Sequence, residues 1–172
     1  MLKILGGIFV IGTTTLLGMQ KGASIRKVYE ELQYIQKLVY QIQSEIRYLR
    51  APLGDIVTKL ARESKAPYGE WLLSLGNDME SRSGKPFSKL WEQGVRQHLG
   101  SLRLPEQEMD RLCLLGKQLG KADMELQMQT LSLYQQQLSQ TLEDLRNTMD
   151  NKVRLCRCIG IISGIFLVIM LL

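Results

Sequence analysis

Apolar residues recur every three or four positions from Val28 onward. Val28, Leu32, Ile35, Leu38, Val39, Ile42, Ile46 and Leu49 fall on one face of a helix. The pattern stops before Pro52, because a proline disfavours helical geometry at the residue ahead of it and suits the first turn of the next helix. Leu53, Ile56, Val57 and Leu60 predict a short second helix. Trp71, Leu72, Leu75 and Met79, after Pro67, predict a third, closed by the turn Ser83-Gly84-Lys85-Pro86. Phe87, Leu90, Trp91 and Val95 form a fourth stripe. Pro105 opens a fifth, carrying Met109, Leu112, Cys113 and Leu115 and ending at Gly120. The sixth is long: Met124, Leu131, Tyr134, Leu138, Leu142, Leu145, Met149 and Val153 share one face. No period-two alternation is long enough for a strand. The expected fold is all-α, a bundle of about six helices.

Charge then divides the chain. Ile4 to Gln20 is 17 residues without a charge, and Cys158 to Leu172 is 15. A spanning helix needs about 20 apolar residues, with a lower limit near 17. The first run reaches it with Met1 and Leu2. The second does so from Leu155, if Arg157 reaches back to the interface. These lengths predict a membrane hairpin: a transmembrane helix at 1–20, a helical domain at 21–154 and a second transmembrane helix at 155–172. A cleaved signal peptide is the alternative for the first run, but Lys21 sits where a small residue would be wanted. Lys21, Arg26, Lys27, Arg146, Lys152, Arg154 and Arg157 flank the runs on the domain side, against Lys3 on the other. Basic flanks stay inside, so the domain is expected in the cytoplasm and the protein in the cell membrane. Three cysteines, Cys113, Cys156 and Cys158, fit a reducing compartment.

Composition excludes several functions. The 172 residues are 45% hydrophobic and 23% charged, enough for one folded domain and wrong for a disordered chain. A single histidine, His98, nearly excludes His-based catalysis and any multi-histidine metal site. Aromatics at 6% are too sparse for a nucleic-acid stacking surface, so no nucleic-acid partner is expected. Ser81-Arg-Ser-Gly84-Lys85 resembles the end of a phosphate loop, yet Gly76 is too far upstream and Pro86 replaces the hydroxyl residue. Cys156-x-Cys158 lacks two further metal ligands and reads as small apolar residues at a membrane boundary, with juxtamembrane acylation as the alternative. The chain is therefore expected to be no enzyme and to need no cofactor.

What remains points to contacts. Glu45 lies at the edge of the first stripe, either as a solvated flank or as an acid pairing with a basic residue of another helix or subunit. Gln127 interrupts the last stripe, where a buried amide needs a partner. The junction of the fifth and sixth helices offers a docking surface. Gly116 and Gly120 would leave backbone accessible, Lys117 and Lys121 supply positive charge, and Asp123 can cap the last helix. Gly160-x-x-x-Gly164, and less so Gly18-x-x-x-Gly22, would allow close approach of membrane helices.

These residues carry a resemblance. Met1-Leu2-Lys3 with Gly6, Thr13-Thr14 and Gly18, then Glu45-Ile46-x-Tyr48-x-x-x-Pro52-Leu53, are similar to the stage III sporulation protein AB family. Leu115-Gly116-x-x-Leu119-Gly120-x-x-Asp123-x-x-x-Gln127 resembles its most recognisable signature, and Ile159-Gly160 its close. Ala51, where that family has threonine, and the Cys156/Cys158 pair depart from the pattern. The resemblance implies a protein of endospore-forming bacteria in the mother-cell membrane facing the forespore. It also implies a channel complex with a secretion-type ATPase and other membrane proteins as partners. The family in turn resembles the cytoplasmic domains of platform proteins of type II secretion and type IV pilus machines. The expected function is thus a membrane-anchored scaffold, with a homo-oligomer compatible with it. A helical ligand sensor is the alternative, but no residues remain for an output module.

Overall fold

A computed structural model describes the backbone of residues 2–49, 51–81, 84–120 and 123–171. It describes side chains for 23–48, 51–81, 84–120, 123–148, 151, 158 and 162. Six α-helices follow in order: α1 Leu2–Leu49, α2 Leu53–Glu63, α3 Tyr68–Glu80, α4 Phe87–Gly94, α5 Glu106–Leu119 and α6 Met124–Leu171. There is no strand among the described residues. Prolines set the starts of four helices: Pro52, Pro67, Pro86 and Pro105 each stand immediately before the first helical residue. The Ala66–Pro67 peptide is cis.

The chain divides into two compact units, residues 1–30 with 141–172, and residues 31–140. In the first unit Leu142 is buried, while Arg26, Lys27 and Arg146 are exposed. As far as they are described, the charge-free runs lie in helices, one in α1 and one in α6, each of 48 residues without a break. Among the described residues no helix is long and apolar enough to cross a membrane. The expected spans, 1–20 and 155–172, lie almost wholly outside the residues whose side chains are described, as do Gly160 and Gly164.

The second unit is the helical bundle. The α1 stripe is buried as its spacing requires: Leu32, Ile35, Leu38, Val39, Ile42 and Ile46 are each at most 5% exposed. Burying one such side chain contributes roughly 1.5–3 kcal/mol, so this stripe alone anchors the bundle. Leu131, Tyr134 and Leu138 do the same for α6. Met124, expected on that stripe, is 38% exposed, because it occupies the first position of α6, ahead of the turn that packs. At the centre Trp71 of α3 and Trp91 of α4 meet edge to face, 4.8 Å between centroids, and Phe87 lies 5.7 Å from Trp91. The Trp91 indole N–H donates to the Leu112 carbonyl at 2.8 Å, tying α4 to α5.

The fourth stripe is not one helix. After Gly94 the chain widens into a π turn, Val95–Leu99, and then tightens into a 3-10 turn, Gly100–Leu102. Val95 and Leu99 are both fully buried, so the irregular segment still packs its apolar residues. Arg103, at φ 53°, takes the left-handed conformation that breaks the turn and redirects the chain towards Pro105.

Candidate functional site

Among the described residues no group of three or more His, Cys, Asp or Glu side chains could hold a metal ion. Cys113 is buried, and burial raises its thiol pKa against the opposing pull of Arg96, so the reactive thiolate is disfavoured. His98 sits half-exposed on the π turn.

The junction between α5 and α6 is built from four hydrogen bonds. Gly120 ends α5, its N–H reaching the Gly116 carbonyl at 3.3 Å. Asp123 then caps α6: its Oδ1 accepts the Glu125 N–H at 2.9 Å and its carbonyl accepts the Gln127 N–H at 3.0 Å. Gln127 closes the corner, its side-chain amide donating to the Leu119 carbonyl at 2.8 Å. Carbonyls in a helix's last turn have no partner inside their own helix, so this bond supplies one. Lys117 and Asp123 are exposed, and Lys121 lies outside the described residues. The expectation for Gly116 is corrected. It is buried, and an added Cβ would collide with the Trp91 indole, so this glycine serves helix packing and offers no backbone to a partner.

Glu45 is satisfied within the chain. Its Oε1 accepts from Lys59 Nζ of α2 at 2.7 Å, and this hydrogen bond is the leading cause of the raised Lys59 pKa. Glu45 thus pairs with a basic residue of another helix of the same chain.

Two buried carboxylates escaped the sequence reading. Glu31 of α1 is 8% exposed and accepts the Tyr68 hydroxyl at 2.9 Å and Lys65 Nζ at 3.3 Å. Lys65 also lies over the Tyr34 ring, 4.6 Å from its centroid. Burial, then the hydrogen bond to Glu31, pushes the Tyr68 phenol far above its ordinary pKa. Glu108 of α5 is 4% exposed and accepts from Arg111 at 2.6 Å. The signal was present for Glu108: positions 108, 112, 115 and 119 form one helical face, and the last three are apolar. Tyr134 stands near it, its phenol pushed up by burial first and by the Glu108 charge second.

Above this pair, α5 and α6 enclose an open groove of about 160 Å³. Arg111, Leu114 and Gln118 line it from α5, and Thr130, Leu133 and Tyr134 from α6. Leu114 and Leu133 are 55% and 57% exposed at its rim. Leucines form its rims, and Arg111, Gln118, Thr130 and Gln137 supply polar groups to its walls.

No solved structure matches the chain. It is 22% identical over 172 residues, the full length of both chains, to the stage III sporulation protein AB of Bacillus subtilis (strain 168). The family model described as stage III sporulation protein AB matches residues 3–172, and that span is nearly the entire sequence. Together with the all-helical fold, the match places this chain in the stage III sporulation protein AB family.

Proposed function

We propose that the chain is a membrane-anchored assembly platform without activity of its own, which serves sporulation by docking a secretion-type ATPase in a channel complex between mother cell and forespore. One observation carries the reading: α1 and α6 each run unbroken from a charge-free terminal segment into the helices of the bundle. Each terminal segment, with its flanking apolar residues, is near the length that a membrane-spanning helix needs. Ile162, within the second run, is 65% exposed, as a lipid-facing side chain would be. Basic residues flanking both runs support a cytoplasmic side for the bundle, where an ATPase would be found.

The proposed dock is the α5–α6 junction, with Lys117, Lys121 and the Asp123-capped start of α6 as its polar contacts. Gln127 holds that junction through its bond to Leu119, and Glu45 ties α1 to α2 through its bond to Lys59. The test uses the full chain in detergent and the ATPase of the same complex. Lys117→Glu with Lys121→Glu is expected to weaken association severalfold and to reduce its salt sensitivity, while the melting temperature stays the same. Asp123→Ala is expected to lower stability by about 0.5–2 kcal/mol through loss of the cap. It should leave association intact where the domain stays folded. Unchanged ATPase capture by the charge-reversed chain would remove this surface as the dock. A reporter active only in the cytoplasm, fused at Ser83, tests the orientation; silence there would favour a sensor domain outside the cell.

A further inference from the structure

Glu125 and Glu143 of α6 enclose 17 residues without a single charge. Unlike the terminal runs, this one is polar, and its outward positions are Gln129, Ser132, Leu133, Gln136, Ser139 and Gln140. A solvated helix face in a chain that is 23% charged would ordinarily carry acids and bases. Within this face Gln129, Leu133, Gln136 and Gln140 are spaced four, three and four, the seam spacing of two helices lying side by side.

The exposed apolar residues gather on the same side. Leu133 shares the groove rim with Leu114 of α5. On the other flank Gln43 of α1 donates to Ser132 Oγ at 2.8 Å. Gln43 also lines a small recess with Tyr40 and Tyr48, which are 64% and 77% exposed. These four are the majority of the seven large hydrophobic side chains exposed among the described residues. Such clustering marks an interaction surface, where scattered single residues would not.

Charge identifies the occupant. The chain carries a net +5, so two copies repel across a typical face. Along α6 the face is neutral, which lowers that repulsion where the two helices would meet, while Arg111 and Arg47 stand at its flanks. It also suits a twofold contact, in which each residue near the axis meets its own copy. A glutamine or serine both donates and accepts and can therefore bond its own image, whereas a carboxylate or ammonium group cannot. We propose that a second copy of this chain docks here, α6 against α6, about a twofold axis passing beside Gln136, with the Leu133 side chains covered in the contact.

The experiment follows association of the full chain in detergent micelles over a concentration series. The wild-type chain is expected to dimerise. Gln136→Glu and Gln136→Lys should each weaken the dimer roughly tenfold or more, because like charges meet across the axis. Mixing the two variants should restore association, now as heterodimers sensitive to salt. Circular dichroism of each variant should match the wild type, as expected for an exposed position. Lys117→Glu, which probes the proposed ATPase dock, should leave the dimer unchanged, so the two surfaces fail or stand separately. A wild-type chain that stays monomeric throughout overturns the proposal. So does indifference to Gln136→Glu, or a mixture that fails to recover. Loss of ATPase capture by Gln136→Glu in a monomeric chain would assign the face to that other occupant instead.

Discussion

Gly116 of α5 lies flush against the indole of Trp91 in α4, so closely that no β-carbon fits between them. The same indole donates to the carbonyl of Leu112, one turn earlier on α5. The glycine and the hydrogen bond together fix how the two helices cross. A small residue at the crossing allows the large one opposite it to be buried completely.

Gly116→Ala should therefore destabilise the bundle. A helical Gly→Ala change ordinarily stabilises by about 0.5–1 kcal/mol. Here overpacking against rigid ring atoms should cost about 1–3 kcal/mol and outweigh that. Gly100→Ala is the internal control, since nothing lies within 4 Å of its added methyl. Thermal melts of the two variants should move in opposite directions, or only the first should move. Equal melting temperatures would refute the packing role.

Tyr68 makes stability depend on alkaline pH. Its phenol pKa is raised above the ordinary 10.0, by burial first and by the Glu31 hydrogen bond second. The folded state thus favours the protonated phenol. That contribution is complete below pH 10.0 and is lost as pH rises beyond it. Tyr134, raised mainly by burial, adds to the same alkaline limb. Tyr68→Phe should cost about 1–3 kcal/mol at neutral pH, because buried Glu31 loses a donor. It should also make the loss of stability above pH 10 shallower than in the wild type. Denaturant titrations across that range measure both effects, and parallel limbs would contradict the assignment.

Gln127 joins α6 to the end of α5 through the Leu119 carbonyl. Gln127→Met keeps the volume and removes the donor. Its expected cost is about 1–3 kcal/mol, the usual penalty for a partly buried acceptor left without its partner. Hydrogen exchange should rise locally in the last turn of α5 and the first of α6. A neutral substitution with unchanged exchange would show that water replaces the amide.

The linear order of apolar residues was enough for the helices, because a period of 3.6 and a proline or glycine at an element's end are local properties. Val28 to Ile46 with Pro52 announced the end of α1, and Pro105 with Gly120 bounded α5, before any packing was known. Asp123 was legible for the same reason, since a cap acts on the residues that follow it. Glu45 was legible as an edge position, but Lys59 is 14 residues away in sequence, and only the packing of α2 on α1 makes it the partner. Gly116 read as exposed backbone because a glycine near a helix end looks the same whether solvent or an indole covers it. The burial of Glu31 stayed hidden because a carboxylate on an apolar face becomes stable only when a partner such as Tyr68, 37 residues away, arrives to satisfy it. That meeting depends on the packing between helices, about which the periodicity of a single helix carries no information, whereas Glu108 meets Arg111 three residues on within α5.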